Sequence, residues 1–171
     1  MADKPESHDI CFIPDGKYGD FVIDYIPEAA RPGPIRDGQG RVLGEHRGII
    51  HYTIGQRHGL GITAPKPLYV TAIEPDRNAL IVGSKEEIYS SELIAGELKW
   101  MAIPPPEQPF MARARIRYLH PEAEARIIPI DKDKVRVSFN EPQMAVTPGQ
   151  AVVFYDGDMV LGGGIIERAG S

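Results

Sequence analysis

The one cysteine of this 171-residue chain, Cys11, lies in Ser7-His8-Asp9-Ile10-Cys11-Phe12-Ile13. Two readings of it stand open. A free cysteine commonly behaves as a small core hydrophobe, which suits its neighbours Ile10 and Phe12. Alternatively it is a reactive thiol on an arm. Residues 1–19 carry few other apolar anchors, and Pro14-Asp15-Gly16 reads as a turn. His8 and Asp9 sit beside it and Lys4 a few residues upstream. A cation favours the thiolate, whereas Asp9 opposes it. A single thiol excludes an internal disulfide framework and a Cys-rich zinc site, and it suits a reducing compartment.

A second pattern is Ala112-Arg113-Ala114-Arg115-Ile116-Arg117-Tyr118. Side chains of a strand alternate between faces, so Arg113, Arg115 and Arg117 share one face at intervals of about 6.5–7 Å. Such a row suits successive phosphates. It equally describes a solvated strand face or an edge protected by charge. Strict alternation sends Ala112, Ala114, Ile116 and Tyr118 to the core side. Tyr118 then reaches a ligand only if the strand ends or bulges there.

A third is Gly48-Ile49-Ile50-His51-Tyr52-Thr53-Ile54-Gly55-Gln56-Arg57-His58-Gly59-Leu60-Gly61. Glycines around a polar tip read as a turn that needs positive φ, or as a backbone-lined contact for RNA or protein. Neither a P-loop nor a dinucleotide fingerprint is present. The five histidines are scattered, and no His or carboxylate pair has metal-ligand spacing, so no metal is expected. Gly162-Gly163-Gly164 reads as a bulge or a close backbone crossing.

These residues must be held by a chain that reads mostly as β. The exceptions are a helix over 20–26, capped by Asp20 and stopped by Pro27, for which a strand is the alternative, and a second short one from the Ser84/Glu87 capping box. Hairpins are expected around Asp37-Gly38-Gln39-Gly40 and around Glu74 to Asn78. A strand is expected over 49–54. After Pro104-Pro105-Pro106, strands at 110–119, 125–130, 135–139, 151–155 and 159–166 recur about every ten residues, which predicts a small closed barrel or sandwich. A module boundary is expected near 90–106.

Composition agrees with an ordinary globular chain: 42% hydrophobic, 25% charged, with 18 glycines and 16 prolines that imply many turns. No apolar run approaches the ~18–20 residues of a membrane span, and the N-terminus has no signal-peptide pattern. Lys4-Pro5-Glu6-Ser7 reads as the middle of a protein rather than its start. The net charge of −5 gives no bulk attraction to nucleic acid, so such binding requires a local patch.

Taken in order, Ser7 to Ile13, His51 to Gly61, Tyr89-Ser90-Ser91-Glu92-Leu93, Arg115-Ile116-Arg117-Tyr118 and the closing stretch from Thr147 to Ile166 resemble the tRNA-specific 2-thiouridylases over essentially the whole chain. Members place sulfur on C2 of the wobble uridine, position 34 of tRNA. The resemblance implies a mainly β fold in three parts. These are an arm over 1–18 carrying the persulfide cysteine, a small mixed β-rich central domain over 19–90, and a C-terminal β-barrel of six-stranded type over 91–171, similar to a translation-factor barrel.

It also implies that the chain matches only the family's C-terminal part. No SGGxDS-type loop occurs in it, so the PP-loop domain that binds ATP with Mg and adenylates the uridine is expected outside these residues, and no cofactor within them. Cys11 matches the family's second cysteine, which accepts a persulfide. Arg117, Tyr118 and Gln150 match positions that contact tRNA, with Arg113 and Arg115 as further candidates. The implied partners are tRNA and a persulfide donor protein of a sulfur relay, in the cytoplasm, with neither membrane nor DNA. A thiolate can take the terminal sulfur of a donor persulfide, and the first cysteine can later resolve it as a disulfide. The competing expectations are a non-enzymatic RNA- or ribosome-binding barrel module and a protein-interaction domain.

Overall fold

The computed structural model describes residues 25–118 and 120–170. Cys11, the turn after it and all but the end of the helix expected over 20–26 lie outside them. The chain divides into two compact units, Met1–Gly83 and Ser84–Ser171.

The described part of the first unit is a four-stranded mixed sheet in the order β2-β1-β4-β3. Its strands are β1 (Gly33–Asp37), β2 (Val42–His46), β3 (Tyr69–Glu74) and β4 (Ala79–Gly83). Both expected hairpins form. Asp37 closes the first, its Oδ1 accepting the backbone N–H of Gln39 and of Arg41 at 2.9 Å each. The second turns through Pro75–Arg77, one 3-10 turn, and ends at Asn78 with φ 45°. β1 and β4 run parallel, Ile35 opposite Leu80. The core beneath is Ile35, Tyr52, Leu60, Val70, Leu80 and Val82. His46 is buried beside it. Its Nδ1 accepts the Gly48 N–H at 3.1 Å, so Nε2 carries the proton and donates to the Asn78 carbonyl at 3.0 Å.

Residues 49–54 are not the expected strand. Gly48 and Gly55 hold φ of 118° and 86°, and the backbone between them makes one 3-10 turn, Ile49–His51, followed by irregular chain. Apolar β-branched residues gave a strand signal, but the left-handed glycines at both ends break the extended path.

The second unit is a closed six-stranded barrel in the order β10-β5-β8-β7-β6-β9. Its strands are β5 (Tyr89–Trp100), β6 (Phe110–Arg115), β7 (Ala123–Pro129), β8 (Val135–Met144), β9 (Ala151–Asp156) and β10 (Met159–Gly170). Closure settles the barrel-or-sandwich alternative. The interior is filled by alternate residues, among them Leu93, Ala114, Ile116, Ile127, Val137, Phe154 and Ile166. The Trp100 ring stacks on Phe154 with centroids 5.7 Å apart. The helix expected from Ser84 is a single 3-10 turn, Glu86–Ile88. Glu87 makes its half of the capping box by accepting the Ser84 N–H at 2.7 Å.

The run Gly162-Gly163-Gly164 is both things expected of it. Register slips between Val160 and Gly162 and again between Gly163 and Ile165. A Cβ on Gly163 would stand 2.5 Å from the Val152 carbonyl oxygen.

Candidate nucleic-acid interface

β6 sends Ala114 and, just past its end, Ile116 into the barrel, 1% and 2% exposed. By alternation Arg113 and Arg115 face outward. β9 lies beside β6, with Arg113 opposite Tyr155 and Arg115 opposite Val153. Val152 and Phe154 fill the core, so Ala151, Val153 and Tyr155 form the outer surface. β6 ends at Arg115. The expected inward position of Tyr118 therefore does not hold: released from the alternation, it is 61% exposed.

The end of β6 and the start of β9 bound a groove of about 460 Å³. Arg115, Arg117, Tyr118, Gln150, Val153 and Tyr155 are among its walls. Gln150, more than thirty residues further along the chain than Arg117 and Tyr118 by their numbering, thus meets them on one surface with Arg115. Arg113 is on the same strand but is not part of this wall; it donates to the Gly157 carbonyl oxygen and pairs with Glu122.

Charge in the groove is graded. The Glu122 carboxylate takes Arg115 Nη2 at 2.7 Å and Arg113 Nη1 at 3.1 Å. The Arg115 guanidinium also lies over the Tyr155 ring, 5.2 Å from its centroid, in cation–π geometry. Arg117 has no carboxylate partner among the described residues; its Nη2 donates to the Met144 carbonyl at 3.3 Å. Three buried polar atoms of these wall residues have no partner among the described residues: Arg115 Nε, Arg117 Nε and the Gln150 side-chain oxygen. Leaving such groups unpaired costs about 1–3 kcal/mol each. The guanidinium groups of Arg115 and Arg117 and the amide of Gln150, carried by residues of the groove's walls, suit a ligand with both acceptors and donors. A nucleotide has both: phosphate oxygens, and hydroxyl or amino groups on sugar and base. The rings of Tyr118 and Tyr155 add flat surfaces on which a base can stack.

Sequence reasoning missed Tyr155 and Glu122. Tyr155 sits in the unbroken run Val152-Val153-Phe154-Tyr155, where no alternation marks the outer face. Glu122 lies across the turn from the arginines, so the row looks free of acids when read along the chain. Cys11 is outside the described residues. The glycines of the His51–Gly61 motif do need positive φ: Gly55, Gly59 and Gly61 stand at 86°, 75° and 67°. No helix among the described residues is long and apolar enough to cross a membrane.

Comparison with known families places a tRNA methyl transferase PRC-barrel domain over residues 19–84 and an aminomethyltransferase β-barrel domain over 90–166. The chain is 56% identical over 168 residues to a tRNA-specific 2-thiouridylase MnmA of Symbiobacterium thermophilum, covering 98% of this chain and 43% of that protein. Proteins of the same description from Halothermothrix orenii and Acetivibrio thermocellus are 49% and 50% identical, again over 98% of this chain and over 47% and 46% of their own lengths. The chain spans less than half the length of these curated relatives.

Proposed function

The chain belongs to the family of the tRNA-specific 2-thiouridylases, matching their C-terminal part, and from that membership we propose that it is the tRNA-holding and sulfur-accepting portion of such an enzyme. The observation that carries the tRNA-holding half is the groove on which Arg117, Tyr118 and Gln150 converge beside Arg115. Arg117 positions a phosphate, Gln150 reads a sugar or base edge, and Tyr118 carries a stacked base. Contacts of the first kind fix register and orientation, and those of the second kind discriminate.

The sulfur-accepting half rests on Cys11. Its thiolate attacks the outer sulfur of a donor protein's persulfide, forming Cys11-S-SH and releasing the donor thiolate. Adenylation by an ATP-binding domain outside these 171 residues makes the C2 oxygen of the uridine a leaving group. The outer sulfur bonds to C2 as the C2–O bond breaks and AMP departs. The family's first cysteine, also outside these residues, then attacks Cys11 Sγ, which frees 2-thiouridine and leaves a disulfide. The site of action is the cytoplasm, where the tRNA and the reducing power to reopen that disulfide are found.

Two measurements test this. The 171-residue chain binds tRNA weakly and salt-sensitively, and with ATP and a sulfur donor it forms no 2-thiouridine; product from this chain alone would refute the need for an external ATP site. In the longer protein, Cys11→Ser abolishes persulfide loading from a donor; unchanged loading would refute the carrier role.

A further inference from the structure

Between Glu45 and Glu74 the chain has no acidic residue, although its net charge is −5. That stretch carries Arg47, Arg57 and Lys66, and in its middle the backbone leaves regular structure as a loop from Arg57 to Lys66. The loop is anchored at its base and under its tip. The Gly55 N–H donates to the Val70 carbonyl at 2.8 Å, and the Val70 N–H donates to the Gln56 carbonyl at 2.9 Å. The Gln56 side chain accepts the Thr53 N–H at 3.0 Å and donates to the His58 carbonyl at 2.9 Å. Leu60 is sunk into the core, 5% exposed, between Gly59 and Gly61 in left-handed conformation.

This held loop presents two cationic side chains and unpaired backbone groups. Among the described residues, no backbone N–H from Arg57 to Lys66 has an acceptor, and neither Arg57 nor Lys66 has a carboxylate partner. They line a concavity of about 410 Å³ with His58, Gly59 and Gly61. Backbone N–H groups around left-handed glycines, with cations alongside, form an anion-binding concavity. No large apolar side chain of the loop is exposed, so the aromatic or aliphatic anchors of a protein interface are missing. No aromatic ring other than His58 lines it for a nucleobase.

We propose that the loop Arg57–Lys66 is a phosphate cradle for the backbone of RNA, a contact of the first unit additional to the barrel groove. It rests on the reading that the chain binds tRNA. The test uses the 171-residue chain and a labelled tRNA, with affinity followed between about 50 and 200 mM salt. The variant carrying Arg57→Ala and Lys66→Ala should lose about tenfold in affinity at the low end and lower the log–log salt slope by about 1.5, as expected for two phosphates. The charge-keeping pair Arg57→Lys and Lys66→Arg should retain the slope. An unchanged slope in the alanine pair, with Arg117→Ala still reducing it, overturns the cradle and leaves the groove standing. No tRNA binding by the parent chain overturns both. Tighter binding of poly-glutamate than of tRNA overturns the cradle in favour of an acidic protein.

Discussion

Glu122 bridges Arg113 and Arg115, its two oxygens 3.1 Å and 2.7 Å from their guanidinium nitrogens. Two of the three arginines on this edge of the barrel are thereby held in place by one carboxylate that is 16% exposed. The pair is screened from neither side alone: Tyr155 lies under Arg115, and the Gly157 carbonyl accepts from Arg113. Replacing the carboxylate by an amide keeps the shape and removes the charge. Glu122→Gln should therefore strengthen tRNA binding and steepen the salt slope by about 1, since the released positive charge becomes available to phosphate. Titration against salt checks this, and an unchanged slope contradicts it.

Arg117 has no such carboxylate among the described residues. Arg117→Ala should weaken tRNA binding across sequences and lower the salt slope by about 1. Arg117→Lys should keep the slope, because the charge remains, yet bind less tightly through loss of the planar fork. Equal loss of slope in both variants would point to a folding defect and contradict the phosphate role.

Tyr118 supplies area rather than charge. Tyr118→Ala should cost about 1–3 kcal/mol of binding if a base rests on the ring, with no change in salt slope. Tyr118→Phe should bind like the parent. A slope change in the alanine variant would contradict stacking.

Gly163 tests the barrel itself. Gly163→Ala places a Cβ against the Val152 backbone, which cannot swing aside as a side-chain tip can. The expected loss is about 1–3 kcal/mol. Gly157→Ala, at φ 57° with open space around it, should cost about 1 kcal/mol from backbone strain alone. Trp100, the one tryptophan, packs on Phe154 inside the barrel, so its fluorescence during urea unfolding reports this unit.

Asp37 gives a pH signature in the first unit. Partial burial pushes its pKa up, but the hydrogen bonds from the Arg41 side chain and from the Arg41 and Gln39 backbone outweigh this and hold it below the ordinary value. Its contribution to stability is full above the unfolded carboxylate pKa near about 4 and is lost as pH falls through the lowered folded value. An NMR titration of the Asp37 carboxyl should show the lowered midpoint, and Arg41→Ala should raise it. An unmoved midpoint in Arg41→Ala contradicts the assignment.

Much of this was legible because the period-2 pattern survives where a strand has one wet face. Ala123–Pro129 and Val135–Phe139 alternate cleanly and lie close to where the pattern put them. β5, the long strand that pairs with both β8 and β10, gave no such signal. Its Leu93, Ile94, Ala95 and Gly96 are all buried, and Glu97 turns to φ 52°, so alternation is lost at its centre. Arg113 and Arg115 could be placed on a face from spacing alone, whereas Arg117 lies past the end of β6 where alternation no longer applies, and the family resemblance pointed to Arg117, Tyr118 and Gln150. The acid that neutralises two of the arginines could not be found, because it arrives from another strand's approach. Register between β6 and β9 is a tertiary fact, and it decides that Tyr155 lies beneath Arg115.

The first and last strands of the barrel, β5 and β10, are hydrogen-bonded neighbours. During synthesis, residues 89–156 can build hairpins but cannot close the ring, and β5 and β9 each keep an unpaired flank until residues 159–170 leave the ribosome. The barrel is thus completed after most of the chain has been translated, and a truncation before Met159 would leave two sticky seams in place of a closed ring.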